Sequence, residues 1–388
     1  SGAAAPEPTT PLPGAPADFS LLAVQVSAIR GLPTPGPLNA RVVDGDSLAD
    51  KVTALAFAEQ DPETLESDRR LLVALRLAPE HLDLVALLRE LYREQILGIY
   101  VAEEKTLYVR GAPQDLSPLG ESTAVHEVTH ALQDHAFGLV RLQDIEEEKA
   151  DAALALLALI EGDAVLTERL WSQQHQTAQE RAEAQAEVAS GSVAALARAP
   201  SYIQQALLFP YLEGEAFVRS LHASGGYAAV DAAYARPPAT TEQILHPEKY
   251  VAGEGSTAVA LPDAAGPGWS DGPTYTFGEF DVDGLMAPLG GLAAQEVAAG
   301  WAGGGVRSWQ RGSDTAVAIT LAFDSAHDAA EACAAVPQWY RQVAGAPASA
   351  PGSAVRGDRD VMAFHCPGTQ VRVGLAPDPQ TARRVAGL

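Results

Sequence analysis

Residues 126–135 read HEVTHALQDH, and this stretch constrains the chain more than any other. On a helix, residues four apart lie nearly above one another. His126 and His130 therefore face the same way and can share one ion at metal–nitrogen distances of about 2.0–2.1 Å. Glu127 stands about 100° around the helix from His126, where it can take a proton from a water on that ion. Val125, Val128 and Leu132 form a separate stripe suited to core packing. The helix thus has an apolar face and a distinct histidine face. The pattern H-E-x-x-H arises by chance in about one chain in a hundred of this composition, so further ligands must be sought elsewhere in the chain.

A third ligand is the first requirement. His135 follows His130 closely, but a metzincin arrangement needs glycine three and histidine six positions after the second histidine. Those positions hold Gln133 and Ala136. His135 is therefore expected to cap the helix or to support a ligand. Glu161 is the better candidate, because it ends an uncharged apolar run, AALALLALI at 152–160. A carboxylate in such a place is costly unless it is paired or coordinated, and a zinc ion supplies the compensating charge. The expected ligand set is His126, His130 and Glu161 around Zn2+, with Glu127 as general base. Asp163 is expected to accept a hydrogen bond from the far side of a ligating histidine, with Asp134 and Asp151 as rivals.

The 388 residues suffice for two or three domains, and 47% are hydrophobic, enough for a substantial core. The formal net charge of −24 argues against nucleic-acid binding, since such a surface repels phosphate backbones. The longest apolar run has nine residues, against about 20 for a spanning helix, so no transmembrane segment is expected in this chain. Residues 1–37 are rich in Pro and Ala and are expected to be a largely irregular tether. That composition suits a spacer behind an export signal or lipid anchor, and hence a secreted or envelope-anchored location. Cys333 and Cys366 would pair in an oxidising compartment and stay core thiols in a reducing one.

From about 38 to 95 the apolar spacing is helical. Two short strands, Ile96–Val101 and Thr106–Arg110, follow around an AEEK turn, then a loop with Pro113 and Pro118 and the histidine helix. A second helix starts near DIEEEKADAALALLALIEGDA, and a third region is broken by Gly225 and Gly226. Residues 252–273 read as a Gly/Pro-rich linker. Beyond it, residues 274–388 read as a small α+β unit, with helices near 282–300 and 325–345 and strands near GVRSWQRG, TAVAITLAF, DVMAFHC and QVRVGL.

Four segments in order, EQILGIYVAEEKTLYVRG, TAVHEVTHALQDHAFGL, ALIEGDA and PPATTEQILHPEKY, resemble a bacterial family of mostly uncharacterised zinc metallopeptidases. It is similar to the gluzincins, the thermolysin-like group with a glutamate as third ligand. The resemblance runs from about residue 90 to 250. It implies an α+β fold: a mainly helical zincin-like domain over 38–251 with a small antiparallel sheet, then the C-terminal unit. By position it implies His126, His130 and Glu161 as ligands, Glu127 as base, and TLYVRG as the edge strand that pairs with an extended peptide. It also implies a downstream residue that stabilises the oxyanion, His246 first and Tyr250 second. Many gluzincins carry an acidic residue four after the third ligand, where this chain has Val165. The expected function is peptide-bond hydrolysis of a peptide or protein substrate. The alternative is an envelope binding or scaffolding protein on a catalytically silent zincin fold.

Overall fold

The computed structural model describes residues 11–12, 14–57, 62–111, 116–146, 148–191 and 193–388. Residues 1–10 and 13 of the expected tether, and Pro113 of the expected loop, lie outside them. The chain is α+β, with two sheets embedded among helices.

The first sheet has strands β1 (Ala15–Pro16), β2 (Asn39–Val43), β3 (Gly98–Val101) and β4 (Thr106–Arg110), in the order β1-β2-β4-β3. β2 runs parallel to β4, whereas β3 runs antiparallel to it. Three helices accompany this sheet, α1 (Ser20–Arg30), α2 (Gly45–Phe57) and α4 (Leu84–Gln95), while α3 (Pro62–Ala74) packs on the second sheet. Alternation along β4 divides the core. Leu107 and Val109 pack with Ala23 and Val26 of α1 on one face, while Tyr108 packs with Leu48 and Val52 of α2 on the other.

Two local differences from the sequence reading concern this region. The tether contains a helix: α1 buries Ala23, Val26 and Arg30, and its apolar residues recur at helical spacing because one face is covered. The stretch 38–95 is not wholly helical, since Asn39–Val43 is a strand. Its partner β4 lies more than sixty residues onward, at register Asn39↔Thr106, so local periodicity carries no sign of the pairing.

The histidine helix α5 (Pro118–Phe137) begins at an N-cap, where Ser117 accepts from the Gly120 N–H, with Pro118 in the first turn. It ends at Gly138 in the left-handed region, φ 72°. Val125, Val128 and Leu132 join the core over β4, which turns the histidines away from the sheet's centre. A short α6 (Leu139–Gln143) leads to α7 (Ala150–His175), followed by α8 (Ala178–Ser190), α9 (Ala194–Arg198) and the long α10 (Ser201–Ala235). α10 breaks at Gly225 and Gly226, whose backbone angles are non-helical.

α7 and α10 pack unusually closely. A Cβ at residue 162 would lie 2.1 Å from the Gly214 carbonyl oxygen, and one at residue 214 would lie 2.2 Å from that of Ala158. Glycine is required at both positions because backbone meets backbone there. Leu156, Leu159 and Ile160 of α7 share a core with Phe217, Val218 and Leu221 of α10.

Two short helices follow, α11 (Thr241–Leu245) and α12 (Pro247–Ala252). The second sheet is antiparallel, with β5 (Ser270–Thr276), β6 (Trp301–Arg311), β7 (Asp314–Phe323), β8 (Ala354–Arg356), β9 (Val361–His365) and β10 (Gln370–Ala376) in the order β5-β6-β7-β10-β9-β8. Its helices are α13 (Glu279–Met286), α14 (Gly291–Ala298), α15 (Ala326–Ala344) and α16 (Pro379–Ala386). One sheet face, with Val317, Ile319 and Leu321, packs against Val336 and Trp339 of α15, against Leu71 of α3 and against Leu75 just beyond it. The other face, with Ala316 and Ala318, packs against Ala382 and Val385 of α16. Within the Gly/Pro-rich stretch at 252–273, Thr257 donates its N–H to the Ala302 carbonyl at 2.6 Å, and a Cβ at Gly303 would lie 2.0 Å from the Thr257 oxygen. That segment lies flat on β6. Cys333 of α15 is disulfide-bonded to Cys366, just beyond β9.

Candidate metal centre

α5 and α7 bring His126, His130 and Glu161 together, with one donor atom from each inside a 4.8 Å span. The Nε2 atoms of His126 and His130 lie 3.0 and 3.4 Å from the same oxygen, Glu161 Oε2. Tetrahedral zinc with bonds of about 2.0–2.1 Å holds its ligand atoms roughly 3.3 Å apart. Two imidazoles and a carboxylate at this spacing fit such a cation. The two rings are edge to face, with centroids 4.7 Å apart.

Each ring is oriented from behind. His126 Nδ1 faces Glu168 Oε2 at 3.3 Å, and His130 Nδ1 faces Gln133 Oε1 at 2.8 Å. An Nδ1–H donating to either acceptor leaves the Nε2 lone pair free for a cation. Gln133 donates its amide to the Ile160 carbonyl and to Asp163 Oδ2, at 3.1 and 3.0 Å. Asp163 also accepts from Tyr234 at 2.9 Å and pairs with Arg30 of α1 at 2.7 Å.

These contacts correct several expectations. Asp163 supports His130 only through Gln133. Position 165 is a valine, and the carboxylate behind His126 is Glu168, which lies two helical turns after Glu161 on the same face. Asp134 instead accepts from Tyr100 Oη and Lys105 Nζ, at 2.7 and 2.6 Å, and so ties the β3–β4 hairpin to α5. Asp151 accepts from the backbone and side chain of Thr241, at 3.0 and 2.6 Å. His135 is exposed in the last turn of α5.

Considering the side chains alone, the charges are tightly balanced. Burial opposes a charge on His126, but hydrogen bonds with Glu161 and Glu168 outweigh it and hold the ring well above its usual value. Burial would raise Glu161, yet His130 and His126 keep it below the usual carboxylate range. Glu127 is raised, mainly by burial, with both histidines pulling the other way. A carboxyl shifted upward in this way is suited to accepting and returning a proton.

Glu127 sits against the sheet edge. A Cβ at Gly98 would lie 2.8 Å from Glu127 Cγ and Oε1, and the Tyr100 backbone N–H is hydrogen-bonded to the Glu127 carboxylate. The edge strand here is β3. β4, the strand TLYVRG, lies inside the sheet between β2 and β3, because β2 covers its other side. The Arg110 N–H donates to the Leu97 carbonyl at 2.7 Å. By antiparallel alternation, the backbone groups of Gly98 and Tyr100 then point outward from the sheet, away from β4.

His246 and Tyr250 do not join this cluster. His246 Nε2 bonds Glu279 Oε1 of α13 at 2.9 Å, and Tyr250 donates to the Arg236 carbonyl at 2.9 Å with its ring packed on Phe217. Tyr211 stands there instead. Its ring centroid is 6.3 Å from that of His126. The charge of Glu161, then burial, then Glu127 push its hydroxyl pKa well above the usual value, so it stays protonated and can donate. Tyr211 lies one turn before Gly214, so the close crossing at Gly162 and Gly214 carries it to the residue beside Glu161. The signal for it is that glycine in PYLEGE, which reads locally as an unremarkable helix residue.

Residues 243–386 match the model of a domain of unknown function, DUF8575. The match covers less than half of the chain and leaves α5 and α7 outside it. No curated protein and no solved structure matches the chain.

Proposed function

We propose that this protein is a zinc-dependent peptidase of the gluzincin kind. The observation that carries the reading is the convergence of two Nε2 atoms on Glu161 Oε2, with Glu127 beside them against β3, the edge strand among the described residues. Among the described residues the group holds three ligands, whereas structural zinc sites are closed by four. That difference, together with the position of Glu127, favours a hydrolase over a silent scaffold.

A zinc ion held by His126, His130 and Glu161 would supply Lewis acidity to a water and to the scissile carbonyl. Glu127 takes the proton from the attacking water and delivers it to the leaving amine. The Tyr211 hydroxyl donates a hydrogen bond to the oxygen on which charge develops. The outward backbone groups of Gly98 align an extended peptide against β3, and the absence of a side chain at 98 lets the strand lie directly on Glu127. The Cys333–Cys366 disulfide supports a place in an oxidising compartment outside the cytosol.

The test is hydrolysis of a quenched-fluorescent peptide library by the zinc-loaded chain and by two variants. Glu127→Gln should retain stoichiometric zinc and lose turnover. His130→Ala should lose the zinc. Unchanged cleavage by Glu127→Gln, or full zinc in His130→Ala, refutes the assignment.

A further inference from the structure

α1 lies outside the part of the chain that carries the histidine helix, yet its last residue, Arg30, is fully buried. It points to Asp163, which is also fully buried, and their contact is 2.7 Å from Nε to Oδ1. The guanidinium also lies 4.5 Å over the Tyr227 ring and 2.7 Å from Asp231. With Oδ1 taken by Arg30, Asp163 presents Oδ2 to the Gln133 amide.

A glutamine side chain has two ends that differ in chemistry, a donor NH2 and an acceptor oxygen. Two orientations of Gln133 therefore have to be weighed. In one, NH2 faces Ile160 O and Asp163 Oδ2, and oxygen faces His130 Nδ1. In the other, the amide oxygen would meet two acceptors that carry no hydrogen, which is repulsive and leaves buried groups unpaired. The first orientation is thus enforced. Its consequence at His130 is chemical: an acceptor at Nδ1 selects the tautomer with the proton there and the lone pair at Nε2.

Building on the metal reading above, we infer that Arg30 is a positioning residue for the metal centre. It pins the Asp163 carboxylate, which orients the Gln133 amide, which makes His130 a ligand through Nε2. The packing of an N-terminal helix thereby sets the donor quality of a histidine on α5.

The test is zinc affinity of the full chain, measured by competition with a chromophoric chelator, and the visible spectrum of the cobalt(II)-substituted chain. Removing Arg30 alone would strand a buried carboxylate, so the paired variant Arg30→Met with Asp163→Leu, which removes both the charge and the acceptor, is used. Gln133→Met, which changes no charge, is the second variant. Both are expected to weaken zinc binding about 10- to 100-fold and to shift the cobalt bands. Tyr250→Phe removes a hydrogen bond outside this relay, and its affinity should stay at the wild-type value. If the wild-type chain binds no zinc, the metal reading itself fails, and this inference with it. If it binds zinc but Gln133→Met binds as tightly with an unaltered cobalt spectrum, the inference fails and the metal reading stands. Should the paired variant not fold, Gln133→Met decides alone.

Discussion

Tyr211 and His246 illustrate how residue roles depend on contacts that no motif encodes. Both are polar, ring-bearing and downstream of Glu161. His246 is engaged by Glu279, whose hydrogen bond raises its pKa, with burial opposing; it serves the junction of α12 with α13. Tyr211 is 43% exposed and its ring lies beside that of His126, where a substrate at the histidines would meet it. Removing one such donor typically costs about 10²–10³ in kcat. Tyr211→Phe should therefore lower kcat by that order with zinc content unchanged. His246→Gln should leave kcat near wild type and lower the melting temperature instead. Steady-state kinetics on the two variants, paired with metal analysis, would distinguish them. The reverse result would return the oxyanion role to His246.

The elements of the site are held by close approaches more than by any single bond. α7 meets α10 at Gly162 and Gly214, and β3 meets α5 at Gly98. Gly162→Ala would force a methyl onto the Gly214 carbonyl, so the helices must part. Overpacking of this kind costs about 1–3 kcal/mol, occasionally more, and here it also withdraws Tyr211 from Glu161. The expected outcome is a lower denaturation midpoint together with a fall in kcat larger than the stability loss explains. An equal kcat in folded Gly162→Ala would show that the crossing does not position the site. At this scale much was readable in the sequence. The helical face of HEVTH and the uncharged run before Glu161 pointed to three residues that the fold brings together. Strand β2 and the edge position of β3 were not readable, because both depend on a parallel pairing between Asn39–Val43 and Thr106–Arg110. A strand's local pattern says which face is buried, not which neighbour it takes.

At the scale of the whole molecule, α7 and α11 are joined to β5 and α13 through a buried acidic junction. Asp151 at the start of α7 is raised to about 7, mainly by burial. Asp281 in α13 is raised to about 6 and Glu242 in α11 to about 7, again mainly by burial. Unfolded carboxyls titrate near about 4. Each group therefore favours the folded state fully below that value and loses its contribution as pH rises through about 6–7. His246, also raised, acts in the same direction over the upper part of this window. Glu66 is lowered to about 2 by its hydrogen bond from Arg69, so its opposite effect falls at a lower pH. With zinc removed by a chelator, the melting temperature should rise by about 3–6 °C between pH 7.5 and pH 5. Asp151→Asn should flatten that slope, because its amide oxygen can still accept from Thr241. A wild-type melting temperature flat or falling over this range would overturn the argument.

The division between what the chain alone determines and what folding adds follows from the reach of each interaction. Histidines four apart share a helix face whatever surrounds them, and a glutamate after nine apolar residues is bound for the interior, because both facts are local. Backbone proximity at a glycine, the choice of edge strand and the partners of a buried carboxylate are decided between segments far apart in sequence. Glu168 behind His126, Tyr211 beside Glu161 and the Asp163 carboxylate that orients Gln133 belong to that second kind. Each owes its place to the packing of α1, α5, α7 and α10 around one another, and only the tertiary structure could select them.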